Sequence, residues 1–189
     1  MTYRVRTYGL LLAATLTASR LPAANTYIQA SLFHASGPVA VTINQSANVC
    51  VTNLGNNTAR VLLAYVNAQT TPNPNNLAPP QILAVREAAL DLGGGVCLAK
   101  TGGELRTALG NNTWDSNIIA IVVPGGHFTG HADPNGNVIQ PGFVIQSGDG
   151  QDRGDVNGLH VASLQILAGG TTVLTPNMTL RSGHPGGIN

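Results

Sequence analysis

The chain has 189 residues, a formal net charge of +1, 9% charged and 43% hydrophobic side chains, 23 glycines and 11 prolines. That length suits one domain able to bury a core. Nine basic against eight acidic residues, without clustering, provide no footprint for a nucleic acid.

The first predicted element is a leader. Arg4 and Arg6 precede an apolar run from Gly9 to Ala18, and Ala23 and Ala24 follow, so residues 1–24 read as a secretory signal peptide. The run is shorter than the roughly 20 apolar residues of a membrane span, and no later segment reaches that length, so no transmembrane anchor is expected after cleavage. Cleavage would remove three basic residues and no acidic ones, leaving 6 − 8 = −2. The expected location is secreted or periplasmic. In such a compartment Cys50 and Cys97, the only two cysteines, are expected to pair. Closing that loop would add about 4 kcal/mol in the chain-entropy model. A free reactive thiol is the competing reading, with Lys100 the one cation near either cysteine in sequence.

Short apolar runs separated by Gly, Asn and Pro then predict an all-β domain. "VAVTIN" (39–44) alternates, with Val39, Val41 and Ile43 on one face. "ANVCVTNLG" (47–55) and "RVLLAYVNA" (60–68), joined through "GNNTA", predict a hairpin. "TTPNPNNLAPP" (70–80), with four prolines, predicts an irregular loop. For "QILAVREAALDLGGGVCLAK" (81–100) two strands around a glycine turn are expected. A helix over 81–92 stays open as the alternative, because Pro80 and Gly93 would suit its ends. "NIIAIVVPGG" (117–126) predicts a strand covered on both faces. In "VASLQILAGGTTVLTPN" (161–177), Gly169-Gly170 predicts a two-residue hairpin turn. Seven or eight strands without βαβ alternation lead to two sheets packed face to face.

The succession "VCVTNLGNNTARVLLAYVNAQ", "ILAVREAALDLGGGVCLAK", "NIIAIVVPGG" and "VASLQILAGGTTVLTPN" resembles small exported bacterial proteins with a single immunoglobulin-like or fibronectin-III-like β-sandwich. The likeness covers about residues 35 to 177 and lies in strand and turn patterns. It implies an Ig-like antiparallel sandwich over 31–178, with one long loop insertion at 127–158 and a polar tail at 179–189. It implies no shared active site. The chain departs from the antibody-type pattern, since Tyr65 stands on the third main strand and the only Trp, Trp114, lies in a polar stretch.

The insertion holds the candidate ligands. His127 and His131 are spaced i, i+4 with Asp133 two further on, the residue types of a zinc or copper site, with His160 able to join if the loop folds back. "DPNGN" (133–137) and "GDGQDRGDVNG" (148–158) supply Asp133, Asn135, Asp149, Asp152 and Asp155. These are hard oxygen donors suited to calcium, which is expected ahead of zinc if an ion is bound, with no other cofactor. The EF-hand template fails, because Val138 and Val144 occupy its sixth and twelfth positions. "RGD" (153–155) reads as a polar turn, and sequons begin at Asn44, Asn56, Asn111 and Asn177. No G-x-S-x-G, H-E-x-x-H or P-loop occurs. Glu87 and Asp91 read as solvent-facing charges rather than a glycosidase pair. A non-catalytic module acting on a protein or cell-surface partner is therefore expected, and a metal- or ligand-binding protein using residues 127–158 is the alternative.

Overall fold

Alternation of apolar and polar residues decides which way most of these strands face. The computed structural model describes residues 28–30, 32–68, 81–110, 116–146 and 160–182. Among them the chain runs through β1 (Ile28–Gln29), β2 (Leu32–Ser36), β3 (Val39–Val41), β4 (Gln45–Asn53), β5 (Ala59–Asn67), β6 (Ile82–Leu90) and β7 (Gly95–Thr101). A short helix, α1 (Gly102–Ala108), leads to β8 (Ser116–Pro124), followed by β9 (Gly126–Phe128), β10 (His131–Ala132), β11 (Val138–Gln140) and β12 (Val144–Gln146). The last described elements are β13 (His160–Ala168), β14 (Thr171–Leu174) and β15 (Met178–Ser182). Residues 1–24, the 70–80 loop, Trp114, the "GDGQDRGDVNG" stretch and most of the tail lie outside the described residues.

The architecture is an all-β antiparallel sandwich, as expected. Eight described strands are five residues or longer, but β2 and β15 among them were not expected, the latter running into the expected polar tail, while the expected "VAVTIN" and "TTVL" strands are the short β3 and β14. One sheet has the order β14-β13-β4-β7. The other has β15-β2-β8-β5-β6, with β3 also pairing β8. Among the described residues no helix is long and apolar enough to cross a membrane.

The inner faces of the two sheets meet in one core that includes Val49 and Val51 of β4, Leu63 and Tyr65 of β5, Val122 of β8 and Leu164 of β13. Burying each aliphatic side chain contributes about 1.5–3 kcal/mol. Tyr65 is fully buried, so its hydroxyl must find partners. It donates to the Leu98 carbonyl at 2.8 Å and accepts from the Val49 N–H at 2.9 Å. Val49 and Leu98 are register partners on β4 and β7. One phenol from the six-stranded sheet thus stitches two strands of the opposite sheet. Burial pushes this hydroxyl well above the usual tyrosine range, against a smaller downward pull from the Val49 N–H.

The hairpin expected from residues 47–55 and 60–68 is not formed. β4 and β5 lie in opposite sheets, because the inward row of β4 (Ala47, Val49, Val51) and that of β5 (Val61, Leu63, Tyr65) bury each other across the core. Asn53 makes the corner. Its side chain donates to the Asn57 and Leu90 carbonyls at 2.8 and 2.9 Å and accepts from the Gly55 N–H.

The ambiguous 81–100 stretch is two strands, β6 and β7, around a turn at Leu92–Gly93. The helix comes later and was not expected. Thr101 accepts from the Glu104 N–H while the Glu104 carboxylate accepts from the Thr101 N–H at 2.8 Å, which is a capping box. The Gly169-Gly170 turn joins β13 and β14 as expected, with φ of +57° and +81°, values that suit glycine.

β8 is covered on both faces, as its continuous apolar run requires. Ile118, Ala120 and Val122 point into the inter-sheet core, while Ile121 and Val123 point the other way into a second cluster. Phe128 and Val144 close that second cluster over Leu62, Ala64 and Val85. The described part of the expected insertion, residues 127–146, lies between β8 and β13 in the chain. Yet residues 126–146 form short strands packed as a third layer rather than an irregular polar loop. β9 pairs β12, β12 pairs β1, and β10 pairs β11.

Candidate functional site

The opening of the insertion, "HFTGHADPNGN", lines a cleft of about 490 Å³ between β6 and the third layer, with Arg86, Glu87, His127, His131 and Asp133 on its walls. Several polar groups there have a local structural reason for their position. Phe128 must point down into the second cluster, so its strand neighbour His127 points out, 58% exposed. The Glu87 carboxylate accepts from the Phe128 N–H at 2.7 Å and sits 3.2 Å from His127 Nδ1. Glu87 faces solvent as expected, its side chain 43% exposed, and it also ties β9 to β6. Asp91 instead accepts from the Thr58 hydroxyl at 2.9 Å.

"DPNGN" is a closed turn. The Asp133 carboxylate accepts from the Asn137 N–H and from its side-chain amide, both at 2.8 Å, and the Asp133 carbonyl accepts from the Gly136 N–H. Those bonds from Asn137, with a smaller contribution from Lys100, hold the Asp133 carboxyl below its usual range. Gly136 has φ +82°, and a Cβ there would stand 2.7 Å from the Val85 carbonyl oxygen. Only glycine lets the turn dock on β6, where the Val85 N–H donates to the Gly136 carbonyl at 2.9 Å.

Beneath the turn lies a lysine the sequence reading had not assigned. Lys100 is 3% exposed. Its ammonium donates to the Asn137 side-chain oxygen at 2.6 Å and meets the Glu104 carboxylate at 3.3 Å. Burial raises the Glu104 carboxyl, but the Thr101 N–H and hydroxyl and Lys100 outweigh it, and the net direction is down. A buried cation requires such partners. Asp133, Asn137, Lys100, Glu104 and Thr101 therefore form one continuous chain from the cleft to the helix cap. The Thr101-x-x-Glu104 spacing was the legible signal for the far end of it.

Among the described residues the expected metal ligands do not assemble. His127 and His131 fall on separate strands, β9 and β10, Asn135 is exposed in the turn, and both Asp133 oxygens are engaged by Asn137. Among the described residues no three His, Cys, Asp or Glu side chains group as a metal-binding set. His160 starts β13 in the other sheet, paired in register with Asn53. It acts on His34 of β2 rather than joining the cleft. Burial and then the His160 charge lower the His34 imidazole below its usual value. Asp149, Asp152 and Asp155 lie outside the described residues.

The two cysteines form the expected disulfide, as direct register partners on β4 and β7. They point to the outer face of their sheet. Inward positions on β4 are Ala47, Val49 and Val51, so Cys50 between them faces out, and Cys97 is exposed. The bond is a staple between neighbouring strands and not a link between sheets. No family model, no curated protein and no solved structure matches this chain.

Proposed function

We propose that this chain is an exported, non-catalytic β-sandwich module, secreted or periplasmic, with a structural, adhesive or cell-envelope role exercised on a protein or cell-surface partner. The observation that carries this reading is the use of the cleft's polar groups. Glu87 holds the Phe128 backbone and Asp133 holds Asn137, so the carboxylates that a catalytic or metal site would need are engaged in fixing the third layer.

Association then falls to a flank. β13 touches β15 and β6 touches β7, so the edge strands β14 and β15 share one flank of the sandwich and β6 and β7 share the other. Residues 168–180 contain no Asp, Glu, Lys or Arg, and Val173, Leu174 and Leu180 are each at least half exposed. An uncharged edge strand accepts an added strand from a protein partner through its backbone groups. Purified full chain is expected to sediment with bacterial envelopes, and Val173→Lys with Leu180→Lys to lower the bound fraction at least fivefold at an unchanged melting temperature. A wild-type chain that stays in the supernatant, or a variant that sediments equally, overturns the reading.

The cleft of about 490 Å³ supports a second reading, a ligand- or calcium-binding protein using residues 127–158. A rise in melting temperature at millimolar calcium or micromolar zinc would favour it, and no shift with either removes the metal version.

A further inference from the structure

We propose that Cys50–Cys97 is a thiol–disulfide exchange site, attacked at the Cys97 sulfur by a dithiol reductant while the protein stays folded. Four features of the fold converge on this. The bond lies on the outer face of the four-stranded sheet, with Cys97 exposed and Cys50 half-buried. The outward neighbours of Cys97 along β7 are Gly95 and Ala99, both exposed and too small to shield a sulfur. β7 is the edge of its sheet, whereas β4 lies between β7 and β13. A thiolate displaces sulfur along the S–S axis. The side of Cys97 away from Cys50 is therefore the edge of the sheet, with no further paired strand, while the side of Cys50 away from Cys97 carries β13, where Ser163 is its register partner.

The fourth feature is charge. Arg86 reaches from β6 and donates to the Cys97 carbonyl at 2.8 Å. That places a permanent cation on the attacked residue, where it favours an incoming thiolate and later the departing Cys97 thiolate. The chemistry balances in two steps. The first thiolate of the dithiol bonds to Cys97 Sγ, the Cys50–Cys97 bond breaks, and Cys50 leaves with the electron pair and takes a proton from water. The second thiolate of the dithiol then attacks its own partner sulfur, forms the reductant's internal disulfide and releases Cys97. The protein is reduced by two electrons and the dithiol is oxidised by two.

The strands do not depend on this bond to stay paired. Both cysteines lie outside the core, and the Tyr65 hydroxyl holds Val49 to Leu98 one register position away. The experiment treats the oxidised full chain with glutathione and, separately, with dithiothreitol at low temperature. The adduct is mapped by mass spectrometry and the fold is followed by near-ultraviolet circular dichroism. The glutathione adduct is expected on Cys97. The dithiothreitol rate is expected to be first order in thiol and to change less than twofold when sucrose stabilises the fold, with the near-ultraviolet spectrum retained. Arg86→Gln is expected to slow both reactions by roughly 3- to 10-fold. An adduct on Cys50, a rate that falls tenfold or more in sucrose, or loss of the spectrum as thiols appear overturns the proposal. An unchanged rate in the Arg86 variant overturns the part assigned to that side chain.

Discussion

The six-stranded sheet packs on both faces, but a complete second sheet covers one, and the stretch 126–146, joined by β1, covers the other. On the first face, long strands meet along their lengths, and every second residue of β4, β5 and β8 contributes to the core. On the second, the covering layer reaches down through few apolar anchors, Phe128 and Val144 with Ala132 and Val138 beside them. Polar bonds do the rest, from Glu87 to the Phe128 backbone and from Asp133 to Asn137. A face closed by many interchangeable contacts tolerates the loss of one. A face closed by two anchors and a hydrogen-bonded turn opens locally when either kind of contact is lost.

The largest expected effect tests that difference directly. Phe128→Ala should cost about 3–5 kcal/mol of the stability of the third layer. Amide exchange should rise across residues 126–146 while β4, β5 and β13 keep their protection. Uniform loss of protection would show that the two faces form one cooperative unit. Next, Tyr65→Phe leaves the Val49 N–H and the Leu98 carbonyl without their shared partner. A loss of about 2 kcal/mol is expected by denaturant titration, spread over the whole sandwich. A smaller loss arises on the second face from Lys100→Met, about 1–2 kcal/mol, because the Asn137 oxygen and Glu104 lose their cation. Its exchange effect should concentrate at residues 133–138.

The fourth prediction concerns pH and has two separate windows. The folded His34 titrates below its ordinary value of 6.5, so the unfolded chain takes up its proton first. Its contribution is full above that value and is lost as pH falls through the lower folded value. Asp133 and Glu104 follow the same sign, from their ordinary values of 3.8 and 4.5 downward, and share the lower window. Melting temperature should therefore fall in two acid steps, the upper abolished by His34→Gln and the lower reduced by Asp133→Asn. A single step insensitive to both variants would dissociate these groups from acid stability.

Strand periodicity made the first face readable and left the second almost invisible. "NIIAIVVP" and the Gly169-Gly170 turn carry local signals that survive in the fold, because they act over a few residues, whereas "VAVTIN" keeps its expected face only at Val39 and Val41, and Ile43 leaves β3 into a turn, 56% exposed. The 47–68 pair misled for the opposite reason. Two strands joined by a turn look alike whether they pair side by side or face each other across a core, and only the fit of the two apolar rows decides. The candidate site was half legible. The cleft lies where the polar stretch pointed, and Cys50 and Cys97 pair as their even number suggested. The roles of Glu87, Lys100 and Asn137 were not legible, since their bonds join residues about 40 positions apart.

By itself the sequence determined an all-β chain, most of its long strands, the Gly169-Gly170 turn and its disulfide. These follow from short-range rules of side-chain alternation, backbone conformation and cysteine count. The tertiary structure alone decided which sheet each strand joined. It alone turned "HFTGHADPNGN" from a set of would-be ligands into the lid of a second hydrophobic layer. The physical reason is that Phe128 contributes more by burial than its polar neighbours lose by being drawn into internal hydrogen bonds, and that balance exists only once β5, β6 and β8 provide the surface to bury it on.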